Sequence, residues 1–347
     1  MRLPDFLDGH GIRFFPVRSL QSLYLGLGVR YPWGVTAMKK LRFLVSLTTD
    51  DNDYQIEQAR AAAETARRLG IDLQVIFAGN DSINQSQQLL SVIQSDSAQH
   101  PDAIIFEPVG GTALPHVGRA AAAAGIAWVV LNRQADYVAE LRRASRSPVF
   151  CVSSDHLEIG RIQGRQVAIL LPHGGTALFI QGPSDTSAAV QRRIGMQETT
   201  RRDVKLIAMK GQWTQESAFQ VVSSWSRLST SEKVPIDAVI AQNDAMALGA
   251  RKALQQQPNA ALREKLLSVP FLGCDGLPGT GKKQVSDGAL AATVVIPPNT
   301  ALAIEMTLKA LQDGVRPAEI VLTQPLSFPA LDELAKRAEN KGAVTTR

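Results

Sequence analysis

The chain has 347 residues, 45% of them apolar and 20% charged, with a formal net charge of +5. That composition suits a folded chain with room for two domains of ordinary size. The positive balance comes without a long basic run, so no nucleic-acid footprint is visible, and no stretch of about 20 apolar residues exists to span a membrane.

Two cysteines, Cys151 and Cys274, each in or beside an apolar run, are too few for a disulfide framework or a metal cluster. They read as small buried hydrophobes. Residues 1–37 carry a basic residue, a short apolar patch broken by Gln21, two glycines and Arg30, and a small-residue end at Ala37. They read either as a poor export signal or as sequence upstream of a start at Met38. In both cases they fall outside the fold as an N-terminal extension.

From Leu41 a regular alternation begins. "LRFLVSL" (41–47) reads as a buried strand, and "QIEQARAAAETARRLG" (55–70) as a helix closed by Gly70. Then come "LQVIFA" (73–78), a helix around 83–95, "AIIFEP" (103–108), a helix around 112–124 and "AWVVLNR" (127–133). A polar connection, "QADYVAELRRASRSP" (134–148), precedes a restart of the rhythm. "VFCVSS" (149–154) leads to a helix over 157–171, and "ALFIQG" (177–182) to a helix over 187–201. "VKLIAM" (204–209), "DAVIAQ" (237–242), "VPFLG" (269–273) and "ALAATVVI" (289–296) follow, the last leading into a helix at 300–313. The tail 329–342 reads as a surface helix.

Continuous apolar strands between helices indicate parallel sheets covered on both faces. The expected class is α/β, with two doubly wound parallel-sheet lobes. Such sheets bind ligands beyond the carboxyl ends of their strands. The strand ends here carry Asn52, Tyr54, Gln55, Asn132, Arg133, Asn243 and Asp275, with Arg192 in the helix after "FIQG" and Trp213 after "LIAMKGQ". Amides, carboxylates and guanidinium groups pair with hydroxyls, and flat aromatic rings pack on apolar ring faces. A polyol asks for that mixture. Each residue also has a plainer reading: Asn243, Asp244 and Asp185 as turn formers or helix N-caps, and Tyr54 and Trp213 as partly buried aromatics.

Other chemistry is thin. "LGCDGLPGTGKK" (272–283) is nearly a phosphate-binding loop, but Lys283 stands where that loop needs a Ser or Thr for magnesium. The histidines His10, His100, His116, His156 and His173 show no metal-ligand spacing. His156, just after "VFCVSS", could cap or line the hinge, and a plain surface role is the expectation. No G-x-S-x-G elbow occurs, and no G-x-G-x-x-G follows the first strand. No catalytic residue, metal or cofactor is expected.

Several stretches together resemble the type I periplasmic sugar-binding proteins, the ribose- and galactose-binding group. That group shares its fold with the effector-binding domain of lactose-repressor-like regulators. The carrying stretches are "DNDY" (51–54), "VVLNRQAD" (129–136), "SSDHLEIGRIQGR" (153–165), "TSAAVQRRIG" (186–195), "AVIAQNDAMALGARKAL" (238–254), "FLGCDGLPG" (271–279) and "GALAATV" (288–294). The resemblance implies two lobes joined by a multi-strand hinge: 38–154 with 297–323, and 155–296 with 324–347. It implies a small sugar or polyol as ligand, an ABC permease or membrane sensor as partner, a monomer and a place in the cell envelope. It carries the ligand-contacting role onto Asn52, Tyr54, Gln55, Asn132, Arg133, Arg192, Trp213, Asn243, Asp275 and Ile296. Three positions depart from the family pattern: Gln55 for an aromatic, Asn132 for Asp and Ile296 for Gln. These argue against ribose itself and leave a hexose, a deoxy-sugar or another polyol open. The rival reading is a cytosolic sugar-sensing effector domain. Residues 1–37 hold Pro4, Pro16 and Pro32 and show no helix-turn-helix pattern, so that rival would lack DNA binding.

Overall fold

The computed structural model describes residues 40–111, 113–228 and 233–345. The expectations for residues 1–37 lie outside the described residues. Each apolar run becomes a strand for a simple reason: both of its faces find a helix layer. In chain order the strands are β1 (Arg42–Leu47), β2 (Asp72–Phe77), β3 (Ala103–Phe106), β4 (Ala127–Leu131), β5 (Val149–Ser154), β6 (Gly175–Gln181), β7 (Val204–Lys210), β8 (Ala238–Ala241), β9 (Phe271–Leu272), β10 (Thr293–Val295), β11 (Ile320–Thr323) and β12 (Leu326–Phe328).

Two parallel sheets result. The first runs β11-β5-β4-β3-β1-β2 and the second β7-β6-β8-β9. In β1, Phe43, Val45 and Leu47 join one apolar cluster, under Ala62 and Ala66 of helix Asp53–Leu69 and Ala303 and Ile304 of helix Asn299–Asp313. Leu44 points the other way, into a cluster with Leu89, Val117 and Trp128. The second sheet repeats this: Leu178 and Ile180 face one cluster, Ala177 and Phe179 the other. This two-sided burial is what a doubly wound parallel sheet requires. Gly70 closes its helix at φ 70°, its N–H bonded to the carbonyls of Ala66 and Arg67.

The chain passes from one sheet's layers to the other's in the stretches after β5, after β10 and after β11. The short antiparallel pair β10–β12 stays beside the second sheet through bridges from Leu272 to Ala292 and from Asp275 to Val295. An apolar cluster of Tyr54, Ile159, Ile162, Cys274, Leu277, Val294 and Ile296 fills the hinge region. Both cysteines are buried.

Some local readings change. The polar connection 134–148 contains a helix, Tyr137–Ala144, whose Val138 and Leu141 are buried at i, i+3 spacing. The strands β11 and β12 arise in 320–328, where the sequence showed no clear strand pattern, because their side chains are largely exposed. In the Gly-rich stretch, Pro278–Lys282 forms one turn against Asp244. A Cβ on Gly281 would sit 2.0 Å from Asp244 Oδ2, and one on Gly276 (φ +60°) 2.6 Å from the Val295 Cα. These glycines permit close packing onto a buried carboxylate, which is a different task from cradling a phosphate.

Helix His156–Leu170 and helix Ser187–Thr199 cross at very close range. A Cβ on Gly160 would lie 2.1 Å from the Arg192 carbonyl, and one on Gly195 2.0 Å from that of Leu157. The missing side chains therefore set how near Arg192 comes to the hinge.

Candidate functional site

The first sheet's strand order reverses between β1 and β3, and the second's between β6 and β8. Side chains from both switch points meet in one cleft with an empty volume of about 590 Å³, counting the space at its open mouth.

On the first lobe, Asn52 caps helix Asp53–Leu69. Its Oδ1 accepts from the N–H groups of Tyr54 at 2.9 Å and Gln55 at 3.3 Å. Its Nδ2 donates across the cleft to the Trp213 carbonyl at 3.4 Å. Glu107, the first residue after β3, is a buried hub. It accepts from Gln55 Nε2 at 3.0 Å and Asn132 Nδ2 at 3.1 Å, and pairs with the Arg133 guanidinium at 3.5 Å. The outer ends of both amides are also held. Gln55 Oε1 accepts from the Thr48 N–H at 3.3 Å, and Asn132 Oδ1 from Asn299 Nδ2 at 3.5 Å.

On the second lobe, Arg192 is only 5% exposed. Its Nη1 donates to the Gln242 carbonyl and its Nε to His156 Nδ1 at 3.4 Å. Its guanidinium carbon sits 5.3 Å from the Trp213 ring centroid. Asn243 caps helix Asp244–Gln255 through the Met246 N–H at 2.8 Å and donates to the Trp213 carbonyl at 2.8 Å. Trp213, Asn132 and Asp275 have φ of +64°, +54° and +112°. Left-handed backbone at a bulky Trp is costly, so strain gathers on this cleft.

His156 is buried, not at the surface. It joins the lobes, with Nε2 bonded to the Asn132 carbonyl at 3.1 Å and Nδ1 to Arg192. Because Nδ1 accepts, Nε2 carries the proton. Burial, then the charges of Arg192 and Arg133, hold its pKa well below 6.5, so it stays neutral. Burial likewise lowers Arg133 from its ordinary value, with Glu107 pulling the other way. Burial raises the Tyr54 phenol, and Glu107 and Asp275 add to that rise. The phenol oxygen makes no hydrogen bond of good geometry, although the Ser154 side chain is near enough to interact. Burial pushes the Asp275 carboxyl well above the usual range against the pull of Arg192, even though the residue keeps some open surface. Asp244 is pushed up to about 7 by burial, opposed by bonds from Thr293 Oγ1 at 2.7 Å and the Gly276 N–H at 2.8 Å.

Of the residues singled out from sequence, Asn52, Tyr54, Gln55, Asn132 and Arg133 line the cleft from the first lobe. Arg192, Trp213, Asn243 and Asp275 line it from the second. Ile296 does not: its side chain packs with Val294, Tyr54 and Ile159 in the hinge cluster. Sequence reasoning missed Glu107, which follows the strand in "AIIFEP" and meets the same strand-end criterion as the others. For His156 the sequence offered a cap or hinge place beside the surface one, and the buried position is the one the structure shows.

A family model described as the periplasmic binding protein domain matches residues 43–315. The chain belongs to that family. Among curated relatives, it is 27% identical over 278 residues to the ribose import binding protein RbsB of Escherichia coli (strain K12), covering 80% of this chain and 86% of that one. It is 31% identical over 251 residues to the putative rhizopine-binding protein of Rhizobium meliloti, covering 71% of this chain and 70% of that one. Among solved structures, an ABC transporter periplasmic solute binding protein from Actinobacillus succinogenes 130z, with bound D-allose, matches with a TM-score of 0.72 and 25% identity. That match covers 87% of this chain and all of the other. The two-lobed α/β architecture is thus the one common to the family.

Proposed function

We propose that this chain is a non-enzymatic solute-binding protein that captures one small sugar or polyol between its lobes. The lobes close about the hinge, and the closed complex delivers its ligand to an ABC permease or a membrane sensor. The observation that carries this reading is the convergence, from both switch points, of amides, carboxylates, two guanidinium groups and one indole on a single cleft. Paired donors and acceptors suit vicinal hydroxyls, the Trp213 ring suits an apolar sugar face, and contacts from both lobes let a ligand favour the closed state. The relatives named above support the same ligand class and a place in the cell envelope, and the protein acts as a monomer. Asn52, Tyr54, Gln55, Asn132, Arg133, Arg192, Trp213, Asn243 and Asp275 are assigned to the ligand. Ile296 backs the site from the hinge.

The test is a thermal-shift screen of the full chain against D-ribose, D-allose, D-galactose, xylitol and myo-inositol. A bound ligand raises the melting temperature according to RT ln(1 + [L]/Kd). A saturable shift with at least one compound is expected. No shift with any of the five, nor with a second panel of common mono- and disaccharides, would overturn the sugar reading.

A further inference from the structure

Resting on that reading, we propose that Glu107 is the specificity-determining residue of the first lobe, the group that fixes where on the ring a ligand diol is held. Three of this lobe's cleft side chains spend donors on it: Gln55 Nε2 at 3.0 Å, Asn132 Nδ2 at 3.1 Å and the Arg133 guanidinium at 3.5 Å. At their oxygen ends Gln55 and Asn132 also make longer contacts, with the Thr48 N–H at 3.3 Å and Asn299 Nδ2 at 3.5 Å. Each spends one N–H on the Glu107 carboxylate and keeps its second for the ligand, so the charge they hold in place is that of Glu107. It sits 2% exposed at the topological switch point and lines the cleft. A carboxylate has about four acceptor directions, so two bonds and an ion pair leave capacity for a ligand hydroxyl. Beside it, the Arg133 Nε–H is buried with no protein partner. An acceptor and a donor on neighbouring groups match a vicinal diol, one hydroxyl donating to Glu107 and the next accepting from Arg133.

The position of the charge can be moved while both amide hydrogen bonds are kept and only the Arg133 pairing with position 107 is given up. When Glu107→Gln is combined with Asn132→Asp, the amide now at position 107 donates to the carboxylate now at position 132, reversing the 3.1 Å bond. Gln55 still donates to position 107, and Asn299 still donates to position 132. The experiment measures melting temperature and calorimetric affinity for wild type, E107Q and E107Q/N132D against the five compounds above. E107Q is expected to lose roughly ten- to a hundredfold in affinity for the best ligand, the range for one charge-assisted bond. The double variant is expected to melt near wild type yet change the affinity ranking of the compounds by at least about tenfold. Wild-type affinity in E107Q would overturn the assignment. So would a double variant that keeps both affinity and ranking, because Glu107 would then be structural. A double variant that still melts far below wild type, or that binds none of the compounds, would also count against it. No response of the wild type itself would overturn the sugar reading, and this assignment with it.

Discussion

Asn243 does two jobs whose energies can be separated. Its Oδ1 caps helix Asp244–Gln255 at 2.8 Å from the Met246 N–H, and its Nδ2 holds the Trp213 carbonyl at 2.8 Å. Asn243→Ala removes both. A lost cap costs about 1 kcal/mol, and a lost neutral hydrogen bond costs about 1 kcal/mol more. Together that is about 2 kcal/mol, or a fall of about 3 °C in melting temperature for a chain of this size. Asn243→Ser restores the cap, since serine caps as well as asparagine, but cannot reach the carbonyl as the amide does. It should recover about half of the lost stability. Both variants lose the amide's remaining donor toward the cleft, so both should bind the ligand roughly three- to tenfold more weakly. Thermal melts of the unliganded protein and titration calorimetry with the sugar found in the screen would measure the two effects separately. If Asn243→Ser melts together with Asn243→Ala, the capping argument is wrong. If it binds like wild type, the amide is not a ligand group.

Three further outcomes follow from the cleft's electrostatics and packing. Burial raises the Asp275 carboxyl, so the folded state holds that proton more tightly than the unfolded one, and stability falls as pH climbs above about 4. Asp275→Asn should therefore melt higher than wild type at about pH 7.5 while binding more weakly, and a lower melting point would refute the reasoning. His156 shifts the opposite way: its folded pKa is depressed, so its contribution is intact above about 6.5 and is lost as pH falls below that value. Between about pH 7 and 5 the wild type should lose more melting temperature than His156→Gln, and parallel curves would sink the idea. Gly160→Ala pushes a Cβ toward the Arg192 carbonyl, 2.1 Å away in the present geometry. It should cost about 1–3 kcal/mol of stability and also ligand affinity; unchanged affinity would show that the helix spacing does not position Arg192.

The fold was legible because its main strands are buried on both faces and therefore read as unbroken apolar runs. β3, "AIIF", and β4, "AWVVL", are buried throughout. β11 and β12 escaped notice because their exposure breaks that pattern. Helix Tyr137–Ala144 escaped because only Val138 and Leu141 mark its buried side within a charged sequence. The cleft was legible to the extent that strand ends can be counted, since a parallel sheet brings all its carboxyl ends to one edge. What the sequence does not show is which side chains are spent on each other. Asn132, taken alone, looks like a lost carboxylate; only the geometry reveals that Glu107 stands 3.1 Å from its amide and carries the charge instead. Ile296 looks like a lost amide and is a hinge core residue.

The same accounting bears on closure. Across the cleft the direct polar contacts are few. Asn52 reaches the Trp213 carbonyl at 3.4 Å, and Gln191 reaches Gln134 at 3.0 Å on an exposed rim. The first is long for a good hydrogen bond, and each replaces a bond to water, so each is worth about 1 kcal/mol or less. The buried His156–Asn132 bond at 3.1 Å also joins the lobes. Contacts of that size do little by themselves to hold the lobes together. A ligand can then shift the balance only by the bonds it makes to both lobes at once. On the proposed reading, Arg192 is central to that shift. Among the described residues it makes no ion pair, and it is held by a carbonyl, an imidazole and an indole face. A guanidinium buried with so little compensation gains from each acceptor a ligand brings. The proposed assignment therefore gives the second lobe's arginine the larger part in closure, and Glu107 and Arg133, already paired, the choice of ligand hydroxyls.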